Sequence, residues 1–171
     1  MDQSTVKQTS NRSDYNRNYF MNIKMYFTAG IGGALAILLL AVLEKWSNWP
    51  YLMAPFGASC VILFALPDSP LAQPRNVVGG HLISSLVGFI IGSSCGVHPW
   101  SLALAIGLAI ILMQWTHTVH PPAGADPLLM MMTGASWSFL LLPVGIGAVI
   151  LVLAAWAYHR ARGFHYPKRW L

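Results

Sequence analysis

The sequence predicts an all-α membrane protein: four transmembrane helices, two short half-helices or broken helices, and two pseudo-repeats. Three observations carry that expectation. Hydrophobic residues make up 56% of the 171 residues and charged residues only 9%, and the mean hydropathy of +0.56 lies beyond that of ordinary soluble domains. Between Lys24 and Arg160 the charged side chains are Glu44, Lys45, Asp68, Arg75 and Asp126 alone. Finally, two apolar segments broken by Pro and Gly match each other at an offset of 67 residues, with Pro55-Phe56-Gly57-Ala58-Ser59 falling on Pro122-Ala123-Gly124-Ala125-Asp126.

Taken in chain order, residues 1–24 are rich in Ser, Thr, Asn and Gln and carry Lys7, Arg12 and Arg17; we expect a disordered cytoplasmic tail. The apolar run starts too late, and lacks the small-residue cleavage site, for a removable signal, so the first span is expected to stay in the protein. A single transmembrane domain follows over 25–160, with repeat halves of about 25–96 and 97–160, then a basic cytoplasmic tail over 161–171. Four runs, 26–43, 77–95, 100–119 and 138–158, are long enough for a hydrocarbon core that takes about 20 apolar residues to cross. Gly96-Val97-His98-Pro99 forces the middle two into an antiparallel hairpin. Trp46, Trp49, Tyr51, Trp100, Trp137, Trp156 and Tyr158 fall near span ends, where amphipathic rings sit at headgroup level.

The broken segments, 51–66 and 121–133, are too short for ordinary spans. Ser and Asp are leading N-cap residues, and Pro127 suits a first helical position. Ser59 and Asp126 are therefore each expected to cap a half-helix only ~10 Å long. Matched Pro/Gly breaks in two halves point to a transporter's binding site, since irregular backbone survives at membrane depth only where protein buries it or it lines a cavity.

Basic residues at both chain ends place both termini on the cytoplasmic side, in the plasma (inner) membrane, and require an even number of crossings. Four spans with two re-entrant segments satisfy this, and so do six crossings. The shortness of the broken segments favours four, with Arg75 outside; six would put Arg75 inside and invert the halves.

The net charge of +5 does not indicate nucleic acid, because the basic residues are not grouped with aromatics on a soluble domain. Cys60 and Cys95 lack the spacing of a zinc or CxxC site. The Met130-Met131-Met132 run reads as packing. We expect no cofactor, no resident metal and no enzymatic activity; the partners expected are the lipid bilayer, a small anion and further copies of the chain in a homo-oligomer, for which glycine-rich faces such as Gly79-Gly80 are suited.

The chemistry-bearing residues centre on His117, His120 and Asp126, which are expensive in hydrocarbon. Three readings compete. In one, the histidines bond backbone carbonyls freed by Pro121 and Pro122, and Asp126 is a cap. In another, His81, His117, His120 and Asp126 hold a divalent ion, a weak pattern without the Glu of a metalloprotease helix. In the third, the half-helix N-termini face a common site and offer N–H groups to an anion, with a histidine taking up a proton beside it. Asp126 would compete with an anion there, unless it is protonated, tied up as a cap, or selects for cations. Arg75 serves either as an interfacial anchor or as an anion ligand.

His120-Pro121-Pro122-Ala123-Gly124-Ala125, with Ala54-Pro55-Phe56-Gly57-Ala58-Ser59 and Leu71-Ala72-Gln73-Pro74-Arg75-Asn76, resembles the HPP family of integral membrane proteins over roughly residues 25 to 160. The resemblance implies a channel or secondary transporter for a small inorganic anion, most specifically nitrite, as for members in cyanobacteria and plastids. The motif residues are Pro55, Gly57, Ser59, Arg75, His120, Pro121, Pro122 and Gly124; with His117 and Asp126 they form the candidate substrate site. The alternatives are a structural or regulatory membrane subunit, and a metal-dependent membrane enzyme using His117, His120 and Asp126.

Overall fold

The computed structural model describes the backbone of residues 3–170 and side chains from residue 23 to 170. The described chain is helical throughout, in six helices: α1 (Gln3–Ser47), α2 (Ala54–Ala65), α3 (Pro74–Cys95), α4 (Pro99–Trp115), α5 (Asp126–Thr133) and α6 (Trp137–Ala161), the last bent at Leu142-Pro143. Short 3₁₀ turns over Pro70–Ala72 and Pro121–Ala125 precede α3 and α5.

The polar arm that we expected to be a disordered tail belongs to α1 from Gln3 onward. No Pro or Gly interrupts the chain before Gly30, and extending an existing helix costs far less than nucleating one. Helices α1 from Ile23, α3 and α6 are long and apolar enough to cross a membrane; α4, at 17 residues, is the shorter partner of α3. A reciprocal cap between His98 and Ser101 and Pro99 at its first position start α4. It ends earlier than its apolar run. Thr118 N–H bonds the Met113 carbonyl and His117 takes a left-handed φ of 57°, a Schellman closure with histidine where glycine is usual.

Neighbouring elements give each segment its direction. Along α1, Gly32 lies against Phe64 and Gly33 against Cys60, while Glu44 accepts from Leu52 N–H; residues 52–64 thus run antiparallel to the stretch of α1 from Gly32 to Glu44. Along α3, Arg75 bonds Thr116, Asn76 bonds Val119, Gly88 meets Pro127 and Gly92 meets Met131. The stretch from Thr116 to Met131 therefore accompanies α3 for ~25 Å. Both broken segments run from one end of the molecule to the other alongside a longer helix. They can do so because extended and 3₁₀ backbone rises faster per residue than α-helix. Arg75 consequently lies at the same end as Lys168 and Arg169, hereafter the tail end.

Each half has three end-to-end segments, and the first of one half runs opposite to the first of the other, so the halves are inverted. They also exchange a helix: α6 completes the core of α1 and α2 through Leu40, Phe56, Leu63, Ala148 and Leu151, and α3 completes that of α4 and α5 through Val87, Ala105, Ala109 and Met131. Most glycines in these helices serve contacts within the chain, such as Gly147 on Phe56. The glycine faces expected to suit a second copy are thus largely occupied.

Candidate functional site

The two broken segments converge on one side chain. His81, in the second turn of α3, is fully buried, and its two ring nitrogens reach opposite halves of the molecule: Nδ1 lies 2.7 Å from Asp126 Oδ2 and Nε2 lies 2.9 Å from Ser59 Oγ. Ser59 Oγ is also 2.8 Å from His120 Nε2, and His120 Nδ1 donates to the Leu71 carbonyl at 2.8 Å. The result is a continuous chain, Asp126, His81, Ser59, His120, Leu71 carbonyl, whose four side chains have 0% exposure. Ser59 Oγ has a third neighbour, the Pro55 carbonyl at 3.0 Å.

Local sequence explains why these groups meet. Gly79 and Gly80 admit the break: a Cβ on Gly80 would fall 2.8 Å from His120 Cβ and 2.9 Å from the Thr118 carbonyl. Pro121 keeps His120 extended, at φ −138° and ψ 100°, and neither Pro121 nor Pro122 supplies an N–H of its own. Carbonyls left free by the break are taken up by α3, where Arg75 donates to Thr116, Asn76 to Val119 and Ser84 to Ala123. Irregular backbone is tolerated here because protein buries and satisfies it. Two buried polar atoms beside the chain have no partner, Asp126 Oδ1 and Ser85 Oγ.

At the tail end a cavity of about 460 Å³ is lined by Asp68, Gln73, Arg75, Asn76, His117, Lys168 and Arg169, together with Pro70. Its cations outnumber its single acid, and Asp68 is itself paired with Lys168 at 2.9 Å. The C-terminal segment holds the wall in place. Gln73 Oε1 accepts from Lys168 N–H, and Tyr166 OH donates to the Ala72 carbonyl. Arg75, on the first turn of α3 where the helix dipole disfavours it, is held by the carbonyl end of α4, where a cation is favoured. The cavity wall and the buried chain share the Pro70–Ala72 turn, whose Leu71 carbonyl holds His120.

Ser59 and Asp126 do not act as the caps expected. Met53 is the N-cap of α2, so Ser59 lies one turn inside it; Ala125 is the N-cap of α5, which makes Asp126 its first helical residue, with its carboxylate on His81. α2 also runs over 12 residues, ~18 Å, since Pro55 is accommodated in its first turn. The expected pair of open half-helix mouths is instead a closed polar core. Of the candidate site residues, Ser59, His120 and Asp126 are brought together, Pro55 joins through its carbonyl, and Pro121, Pro122 and Gly124 form the connecting turn. Arg75 and His117 face the tail-end cavity; Gly57 lies apart in a groove with Gly33 and Ala34. His117 is therefore separated from the His81, His120 and Asp126 with which a shared ion was considered.

His81 is the residue missing from the candidate substrate site, though it is the one basic side chain within the 77–95 run, a signal in itself. Gln73, Lys168 and Arg169 carried no such mark. Ser59, His81 and Asp126 stand in the order of a nucleophile, base and orienting acid. Acyl transfer also needs a reachable nucleophile and oxyanion donors, and Ser59 Oγ is sealed between two rings and a carbonyl. The hydrogen-bonded geometry allows proton exchange among the chain's own members.

Residues 19–167 match the protein family described as HPP, transmembrane region. Two transmembrane proteins of Dictyostelium discoideum are similar: one is 37% identical over 152 residues, covering 83% of this chain and 53% of the relative, and the other 38% identical over 151 residues, covering 80% and 48%. The chain thus spans about half the length of these relatives. No solved structure matches it.

Proposed function

Because this chain belongs to the HPP transmembrane family, we propose that it is a channel or secondary transporter for a small inorganic anion, with nitrite the first candidate, rather than an enzyme. The observation that carries the proposal is the cationic tail-end cavity, which shares the Pro70–Ala72 turn with the buried polar chain. A small planar oxyanion needs a few N–H donors and a nearby cation, which Arg75, Asn76, Lys168 and Arg169 supply. In this reading His117, Arg75 and Asn76 receive the ion, and Ser59, His120 and Asp126 lie on the path between the halves.

The tail end carries Lys24, Arg75, Arg160, Arg162, Lys168 and Arg169, against Lys45 at the other end, so this integral membrane protein is proposed to present its tail end to the cytoplasm, in the plasma (inner) membrane. A homo-oligomer belongs to the proposal on grounds of size, as six helices, two of them short, leave little protein to enclose a path.

The test is uptake into proteoliposomes. Nitrite is expected to enter faster than into protein-free vesicles, and Arg75→Ala or His120→Ala is expected to slow it. Arg75→Lys should retain part of the flux, since it keeps the charge but loses the planar fork. Uptake equal to protein-free vesicles for nitrite, nitrate, formate and chloride alike would refute an anion carrier and leave a structural or regulatory subunit.

A further inference from the structure

The buried chain has a proton count that its distances dictate. The Pro55 carbonyl competes for the Ser59 hydrogen; beside it, each of the four contacts that link the chain end to end needs one hydrogen between its two atoms. The Leu71 carbonyl only accepts, so His120 Nδ1 must carry a hydrogen. One hydrogen must lie between His120 Nε2 and Ser59 Oγ, one between Ser59 Oγ and His81 Nε2, and one between His81 Nδ1 and Asp126 Oδ2. Two neutral imidazoles and one hydroxyl supply three; an ionised Asp126 supplies none. Without a fourth, two lone pairs face each other inside a fully buried cluster, the costly case of an unmade hydrogen bond.

We propose that Asp126, His81, Ser59 and His120 form a carrier for one proton at the meeting point of the two inverted halves, complete only when that extra proton is bound. The proton has two resting places. In the first, it lies with the His81 and Asp126 pair, His81 Nε2–H donates to Ser59 Oγ, and the Ser59 hydroxyl donates to His120 Nε2. In the second, His120 is the imidazolium and donates from Nε2 to Ser59 Oγ, the hydroxyl donates to His81 Nε2, and neutral His81 donates from Nδ1 to ionised Asp126.

Passage from the first to the second settles the hydrogen shared with Asp126 on His81 Nδ1, breaks the His81 Nε2–H bond and forms one on Ser59 Oγ, while the original Ser59 O–H bond breaks and one forms on His120 Nε2. One positive charge crosses the serine, and the cluster stays neutral. The Pro55 carbonyl gives the hydroxyl a third direction to turn to. The groups facing the cluster are Ser84 and Ser85 from α3; the α4 and α6 helices bring no Asp, Glu, Lys or Arg between Pro99 and Trp115 or between Trp137 and Tyr158, and Arg75 and His117 lie out at the tail-end cavity. Beside His81, Asp126 Oδ1 and Ser85 Oγ have no hydrogen-bond partner.

Coupling of this carrier to anion movement rests on the proposed transport function; the proton count does not. Two measurements on the full chain keep them apart. Nitrogen NMR of the histidine rings in lipid nanodiscs, with infrared detection of the Asp126 carboxyl and Asp126→Asn for its assignment, is expected to find four protons at neutral pH: either one of His81 and His120 doubly protonated, or Asp126 as the acid. Two singly protonated rings beside an ionised Asp126, from about pH 5 to 9 where free imidazole changes charge, would overturn the carrier.

In vesicles holding a pH dye, an inward nitrite gradient is expected to acidify the interior beyond the nitrous-acid leak of protein-free vesicles, with Ser59→Ala lowering the protons carried per nitrite and Ser59→Thr restoring them. A ratio unchanged in Ser59→Ala, or nitrite movement without protons in the unmodified protein, would overturn it as well. If no nitrite moves at all, the transport reading fails and the proton count from NMR decides the carrier.

Discussion

Replacing Asp126 separates a carboxyl that acts as a proton holder from one that acts as a permanent anion. Asparagine has the same shape and can donate from Nδ2 to His81 Nδ1, after which His81 Nε2, the Ser59 hydroxyl and His120 Nδ1 donate in turn down to the Leu71 carbonyl. All four contacts of the chain survive, and the amide oxygen faces the otherwise unpartnered Ser85 Oγ. Asp126→Asn mimics the loaded state, and its cost should stay within ~1 kcal/mol. Asp126→Leu keeps the bulk but leaves His81 Nδ1 buried without a partner, which costs ~1–3 kcal/mol. A difference of about 2 kcal/mol changes the folded-to-unfolded ratio roughly thirtyfold. Thermal unfolding in one detergent, followed by tryptophan fluorescence, reads the order: unmodified protein and Asp126→Asn close together, Asp126→Leu well below. Proton movement should be lost in both variants. If Asp126→Asn melts as low as Asp126→Leu, the carboxylate is needed as a charge and the reasoning fails.

His117 closes α4 in a left-handed conformation that costs an L-residue ~1–2 kcal/mol; His117→Gly should therefore raise the melting temperature while lowering anion uptake, and a fall in both would mean that the ring holds the turn. Gly80→Ala should cost ~1–3 kcal/mol by overpacking, because the new methyl meets the backbone of the break, whereas Gly107→Ala, with nothing within 4 Å, should be neutral or gain up to ~1 kcal/mol of helix propensity; equal melting points would contradict the close approach. Tyr166→Phe should loosen the C-terminal segment by ~1–3 kcal/mol, seen as faster tryptic cleavage at Lys168. Burial pushes the Tyr166 phenol above its usual value, so its stabilisation is whole below about pH 10 and is lost as pH rises through the elevated folded value; the gap between Tyr166→Phe and the unmodified protein should narrow there.

The membrane class, the hairpin at Gly96, the paired breaks and the interest of Ser59, His120 and Asp126 were legible because each leaves a local mark: apolar length, a turn dipeptide, Pro beside Gly, a polar group in hydrocarbon. The early end of α4 was not legible, since the run through Thr116 and Val119 stays compatible with a helix and only the Schellman bond from Thr118 stops it. Nor were the caps. A serine before an apolar run reads as an N-cap, but Pro55 fits the first turn of α2 equally well and moves the start of the helix back to Ala54.

By itself the sequence determined that this chain is a membrane protein of two matched halves, because hydropathy and helix-breaking residues act over a few neighbours and are written in order. Tertiary structure alone decided that the halves are inverted, that they exchange α3 and α6, and that the matched Ser59 and Asp126 grip the two nitrogens of His81. Those are contacts between residues 22 and 45 positions apart, and no local pattern encodes which distant partner a buried polar atom will find.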